Sequence, residues 1–230
     1  MPGSTINEKA DDKSMTGNGK KSTRKQVSKD LVIEKGLHFL REAGAEHICS
    51  VCIENGGSCC SGCRHLLDGM GCQRRNTSCT AWLCGFLKFV LYEMELLQDW
   101  DAFWNQIPGQ SYREDFTPET ITIRKDLVIR NFQIISKALA SDLQELEKTQ
   151  IAIGFIISLR EKINKHIDRL GYYKNDPLKK AKTKENIRIL STPFYRFHKA
   201  CAEYRLQHQK QAAQLIHERL TSGTSSVREL

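Results

Sequence analysis

The sequence predicts a mainly α protein in which an irregular cysteine-rich loop region packs on helices and a long-helix hairpin or small bundle follows. Three observations predict it. Apolar residues recur at three- and four-residue steps along most of the 230 residues, no β-rich region interrupts them, and one window of glycines and thiols has too few aliphatic side chains for a core of its own.

Residues 1–28 are rich in Ser, Thr, Gly, Asn and Lys, with hardly any large apolar side chain. Such a composition cannot bury enough surface to repay the entropy of ordering, so a disordered basic arm is expected there. A helix follows at 29–43, where Leu31, Leu37 and Leu40 give an imperfect stripe and Gly44 is placed to end it. From 47 to 78 glycine and cysteine dominate, and Gly56, Gly57, Gly62, Gly69 and Gly71 mark turns. That segment needs cross-links to hold a shape.

A strongly apolar helix is expected at 80–106, carrying Trp82, Phe86, Leu87, Val90, Leu91, Met94, Leu97, Trp100 and Trp104, with Lys88, Glu93, Glu95, Asp99 and Asp101 largely opposite. Pro108 and Gly109 break it. Thr117, Pro118 and Glu119 read as a fresh helix start. Phe132, Ile135, Leu139, Leu143 and Leu146, then Ile153, Ile156, Ile163, Ile167 and Leu170, predict one long helix or two with an unmarked break over 124–170. Gly171 is a plausible cap, and Asp176–Pro177 supports a loop. A last helix starts at Ser191, Thr192 and Pro193, with Phe194, Phe197, Cys201 and Tyr204 on one stripe, and packs back on its long predecessor. Ile121 and Ile123 alternate like a strand, and one such run makes no sheet. The expected organisation is an arm at 1–28, a cysteine-cluster unit at 29–116, a helical hairpin or bundle at 117–220 and a flexible tail at 221–230.

Hydrophobic residues at 40% and charged residues at 27% exclude wholesale disorder. No uninterrupted apolar run approaches the ~20 residues of a membrane span, and the N-terminus has no apolar core of a secretory signal. No membrane partner is expected, and a cytoplasmic location with reduced thiols is. The net charge of +8 gathers in Lys20, Lys21, Arg24 and Lys25 and again in Lys174, Lys179, Lys180, Lys182, Lys184 and Arg188. Such segments favour acidic or phosphate-bearing partners, protein or nucleic acid, or remain a solvated arm and connector. The regular 124–170 helix is a candidate homodimer surface.

Eight of nine cysteines, Cys49, Cys52, Cys59, Cys60, Cys63, Cys72, Cys79 and Cys84, fall in one window. In a reducing compartment this reads as metal coordination before disulfides. Cys49–Cys52 and Cys60–Cys63 are Cys-x-x-Cys pairs, a spacing that lets two thiolates of one tight turn reach one ion and leaves two tetrahedral positions for other segments. Eight thiolates suit two four-thiolate zinc sites, and six suit a bridged two-zinc cluster. If a helix begins near Thr80, Cys79 lies in its approach and Cys84 in its first turns, where the helix N-terminus favours thiolates. Zinc is preferred, with an iron–sulfur cluster as the alternative, because no complete ferredoxin spacing is present. His47 and His65 are substitute ligands of lower rank, and Cys201 reads as a small buried hydrophobe.

The first six cysteines resemble the doubled half-motif of the fungal binuclear zinc DNA-binding domain, but no linker separates the halves and 53–58 lacks that family's basic residues. Cys59–Cys60 with the neighbouring Cys-x-x-Cys resembles small bacterial cysteine-cluster proteins of zinc or iron–sulfur type. That resemblance implies metal binding over about one-sixth of the chain. No phosphate-cradling loop, dinucleotide fingerprint or nucleophile elbow is present. The expected function is therefore a metal-stabilised helical interaction module, with an iron–sulfur sensor or enzyme as the rival.

Overall fold

The computed structural model describes residues 24–60, 62–67, 71–72, 74–111 and 114–225. Most of the expected basic arm, the side chain of Cys72 and the end of the expected tail lie outside the described residues. Nine helices and three two-stranded sheets are formed among the described residues. None of the helices is long and apolar enough to cross a membrane.

Strand β1 (Lys25–Ser28) corrects the expectation of disorder through residue 28. It pairs antiparallel with β6 (Thr120–Ile123), Val27 opposite Ile121 and Lys25 opposite Ile123. The alternating run at 120–123 does make a sheet, because its partner comes from the far end of the chain, where no local pattern could reveal it. Val27, Ile121 and Ile123 are buried while their neighbours face water. Helix α1 (Lys29–Glu42) follows at once, its N-terminus capped by the Ser28 hydroxyl, which accepts from the Leu31 N–H at 3.2 Å. Gly44, at φ 69°, turns the chain directly into α2 (Ala45–Glu54). The cysteine window therefore opens on a helix, whereas an irregular segment was expected. Its aliphatic side chains Ile48 and Val51 are buried.

The expected helix at 80–106 is three helices: α3 (Thr77–Ala81), α4 (Gly85–Glu93) and α5 (Leu97–Trp104). The strands β2 (Leu66–Leu67) and β3 (Gly71–Cys72) precede them. The first break comes where Trp82 and Cys84 adopt extended backbone. The second is a left-handed turn at Glu95, φ 59°, closed by the Leu96 N–H donating to the Leu91 carbonyl at 2.8 Å. A glycine there would carry no Cβ to crowd its own backbone. Glu95→Gly is accordingly expected to stabilise the protein by about 0.5–1 kcal/mol in urea denaturation; an unchanged or lowered midpoint would contradict this account of the break.

Thr117 does not start a helix. Its hydroxyl donates to the Pro108 carbonyl at 2.9 Å and lies 2.7 Å from the Thr77 hydroxyl. Asp115, joined by Lys29 at 3.1 Å, accepts from Thr77 Oγ1 at 2.8 Å and from the Thr117 N–H at 3.0 Å. This knot, beside the short hairpin β4 (Gln110–Ser111) and β5 (Glu114–Asp115), ties α3 to the loop before β6.

The stretch expected as one long helix or two is a pair, α6 (Gln133–Thr149) and α7 (Phe155–Tyr172), turning at Gly154, φ 75°. The basic run read as a connector is helix α8 (Pro177–Ser191), whose Asp176 caps the Lys179 N–H at 3.0 Å. Thr183 and Ile187 bury it against α7. Helix α9 (Tyr195–Ser225) packs on α6. There buried Asp142 accepts from the Phe197 N–H at 2.9 Å and from the Arg196 guanidinium at 3.1 Å, satisfying the start of α9 from outside it. One hydrophobic core runs through all of this, with α2 against α6 and α4 against α7. The packing crosses residue 117, where the sequence suggested a boundary.

Candidate metal centre

Three separate segments deliver thiols to one place. Cys49 and Cys52 sit three apart on α2 and so share a face. Cys52 is buried and Cys49 half-buried. After α2 the chain turns at Gly56, φ 75°, and folds back so closely that the Gly57 N–H donates to the Cys52 carbonyl at 2.8 Å. A Cβ at Gly57 would stand 2.4 Å from Cys52 Sγ. This close approach requires glycine, and it brings Cys59 back toward the helix that bears Cys49 and Cys52. The third segment is the turn before α4. Cys84 is the N-cap residue of that helix, and the Leu87 and Phe86 backbone N–H groups of the first turn favour its thiolate, though its thiol makes no capping hydrogen bond.

Each of Cys49, Cys52, Cys59 and Cys84 lies within electrostatic reach of the other three. Burial is the largest influence on all that shift. It raises Cys49 from an ordinary 9.0 to about 11, Cys84 to about 11 and Cys59 to about 12, and neighbouring thiols add to each rise. As protonated thiols Cys49, Cys59 and Cys84 are neutral at physiological pH; Cys84 is buried among apolar side chains, Cys49 is half-buried and Cys59 keeps one side open to solvent. Among the described residues no three His, Cys, Asp or Glu side chains already surround a point closely enough to hold an ion. Among the described residues no disulfide is formed either.

Opposite Cys52 stands Arg160 of α7, which the sequence did not single out. Its Nη1 donates to Cys52 Sγ at 3.0 Å, while Nη2 donates to Glu161 at 2.8 Å. With 11% of its side chain exposed, it is a cation held inside the packed face of α7. No motif surrounds it, since α7 meets the cysteines only in three dimensions. Gly85 makes that meeting possible, for its Cα faces the Arg160 carbonyl with no room for a side chain.

The other candidates are placed differently. Cys60 lies beside Cys59, and its carbonyl accepts from the Cys63 N–H at 2.8 Å in a tight turn. Cys79 sits in α3, its N–H donating to the Asn76 cap at 2.7 Å. Cys72 pairs with Leu66 in the β2–β3 hairpin, and its side chain lies outside the described residues. Cys59, Cys60 and Cys79 line one open cleft of about 380 Å³. Cys201 is buried between α9 and the body, as a small hydrophobe would be. No family model matches the chain, and no curated protein and no solved structure is significantly similar to it.

Proposed function

We propose that Cys49, Cys52, Cys59 and Cys84 hold one metal ion, zinc in the first instance, as a closed structural centre of a helical interaction module. The observation that carries this reading is their mutual proximity from α2, the loop after it and the start of α4. Thiols drawn together from three segments gain little from one another. Four thiolates around a divalent ion exchange their protons for coordination energy that counts directly as folding energy.

The charges around the four sulfurs support the same reading. Four thiolates and a divalent ion carry a net charge of −2, which is costly in a packed interior unless it is compensated. Arg160 supplies a cation at Cys52, and the first turn of α4 presents its unpaired N–H groups to Cys84. Cys60, Cys63, Cys72 and Cys79 remain for a second ion. With closed coordination the metal has no open position for substrate, so the function lies in what the folded surface binds. The outward face of α8, with Lys182, Lys184 and Arg188, suits an acidic protein or a nucleic acid.

The deciding experiment is elemental analysis of protein purified without oxygen, followed by cobalt substitution of the wild type and of Cys52→Ser and Cys84→Ser. One or two tightly held zinc ions, with a tetrahedral thiolate cobalt spectrum lost or weakened in both variants, is the expected result. Iron with acid-labile sulfide would replace zinc by the iron–sulfur reading. Absence of both metals together with no cobalt uptake would overturn the centre altogether. Binding of nucleic acid through α8 predicts an affinity that falls steeply with salt.

A further inference from the structure

The cleft beside the thiols is lined by Cys59, Cys60, Cys79, Trp82, Arg75 and the β4 residues Gln110 and Ser111, among others. Two of these residues are unusual for their surroundings. Trp82 is 47% exposed, although it sits at the junction of α3 and α4, where Leu83 and Cys84 on the same turn are buried. The other two tryptophans, Trp100 and Trp104, are 2% and 4% exposed. The Trp100 indole N–H donates to the Ala81 carbonyl at 3.0 Å and so fixes the backbone from which Trp82 projects. A large aromatic side chain is thus held open on a rigid support.

Arg75 is the second. It is the only charged side chain among the described lining residues. Its Nη1 donates to the Cys79 carbonyl at 3.4 Å, it lies within electrostatic reach of the Cys49 thiol, and no ion pair with a carboxylate is formed among the described residues. Some surface cations elsewhere meet acids: Lys35 meets Asp126, Lys88 meets Asp168, Lys125 meets Asp99 and Arg188 meets Glu185. A guanidinium that lines an apolar, thiol-walled cleft without an acid is matched to an incoming anion. Trp82 and Ala81 offer the flat apolar wall, and the hydroxyls of Ser78 and Ser111 with the Gln110 amide give the cleft a polar rim.

We propose that this cleft binds a small planar organic anion, with its ring against Trp82 and its carboxylate, sulfonate or phosphate on Arg75. Cys59 belongs both to the four-thiol set and to the cleft wall, so the bound anion lies against the metal centre proposed above. The cleft is present without a bound ion, so the two readings are tested separately by measuring anion binding on the reduced, metal-free protein.

Benzenesulfonate is the probe, benzenesulfonamide its uncharged counterpart and benzylammonium its cationic one. Calorimetry on the full-length reduced protein should give saturable binding of benzenesulfonate with a roughly millimolar dissociation constant, the scale for so small a ligand. The amide should bind about tenfold more weakly and the ammonium not at all. Tryptophan emission should shift with the same saturation curve, because only Trp82 among the three is open to solvent. Arg75→Gln should weaken the sulfonate about tenfold and bring it level with the amide. Trp82→Phe should remove the emission response. Both changes are at exposed positions, and unchanged circular dichroism and melting temperature would show that the fold is retained. Equal affinity for sulfonate and amide, an unaffected Arg75→Gln, a full emission response in Trp82→Phe, or no binding of the sulfonate would each overturn the proposal.

Discussion

Gly85→Ala is expected to cost the protein about 3 kcal/mol or more, the effect of driving a side chain into a space already filled by backbone. A Cβ at Gly85 would lie 2.1 Å from the Arg160 carbonyl oxygen, 2.9 Å from Asn164 Cβ and 3.0 Å from the Asn164 nitrogen. The nearest of these is main chain, inside a helix, and cannot swing aside as a flexible side chain would. Relief therefore requires α4 and α7 to separate, and these helices make one of the most extensive packings in the molecule. The same movement withdraws the Arg160 guanidinium from Cys52, so the loss should extend to the thiol site. Gly171→Ala is the control. Gly171 also lies in α7, has nothing within 4 Å of its added Cβ, and should stabilise the helix by about 0.5–1 kcal/mol. Urea midpoints of the two variants should move in opposite directions. Two small shifts of the same sign would mean that the α4–α7 contact is looser than its geometry implies.

That contact marks the limit of what the sequence revealed. The helix at 29–42, the apolar stripes of α6 and α7 and the buried stripe Phe194, Phe197 and Cys201 were legible because each depends on spacing along one segment. Local signals also existed for two elements that were misread. Asp176–Pro177 is an N-cap followed by a first-turn proline, yet the dense charge after it suggested a connector in place of α8. Ile48 and Val51 step by three within the cysteine window, a faint helical stripe hidden by the thiols around it. The β1–β6 pairing had no local signal, since each strand is four residues long and its partner is remote. The cysteine window itself was plain. Its division into a four-thiol set and a cleft-lining group was not, because the fold-back at Gly57 and the turn at Cys84 decide which sulfurs meet. Arg160 was invisible for the same reason: its partner Cys52 lies on a different helix, far away in the chain.

The thiol set also makes stability depend on pH in a way that a bound ion should reverse. In the reduced, metal-free protein, burial and the neighbouring thiols hold Cys49 and Cys84 at about 11, against an ordinary 9.0. Between these values the unfolded chain has released protons that the folded chain retains, so the folded state loses ground as pH rises. Below pH 9 the contribution is fully present, and above about 11 it is gone. Cys84 is 4% exposed, and its rise from 9.0 to about 11 corresponds to roughly 3 kcal/mol at the upper limit. The thiols influence one another, so their losses do not simply add. A bound divalent ion changes the sign. It requires thiolates, so it displaces the protons already at neutral pH and removes the alkaline weakness. It creates an acid weakness instead, because below about pH 6 protons compete with the ion for sulfur. Urea midpoints from acid to alkaline pH, with and without stoichiometric zinc under reducing conditions, should therefore cross in slope: falling above pH 9 without the metal, and falling toward acid with it. Cys84→Ala should flatten the alkaline fall in the metal-free protein and abolish most of the zinc effect. Superimposable profiles with and without zinc would leave the four thiols as nothing more than packed side chains.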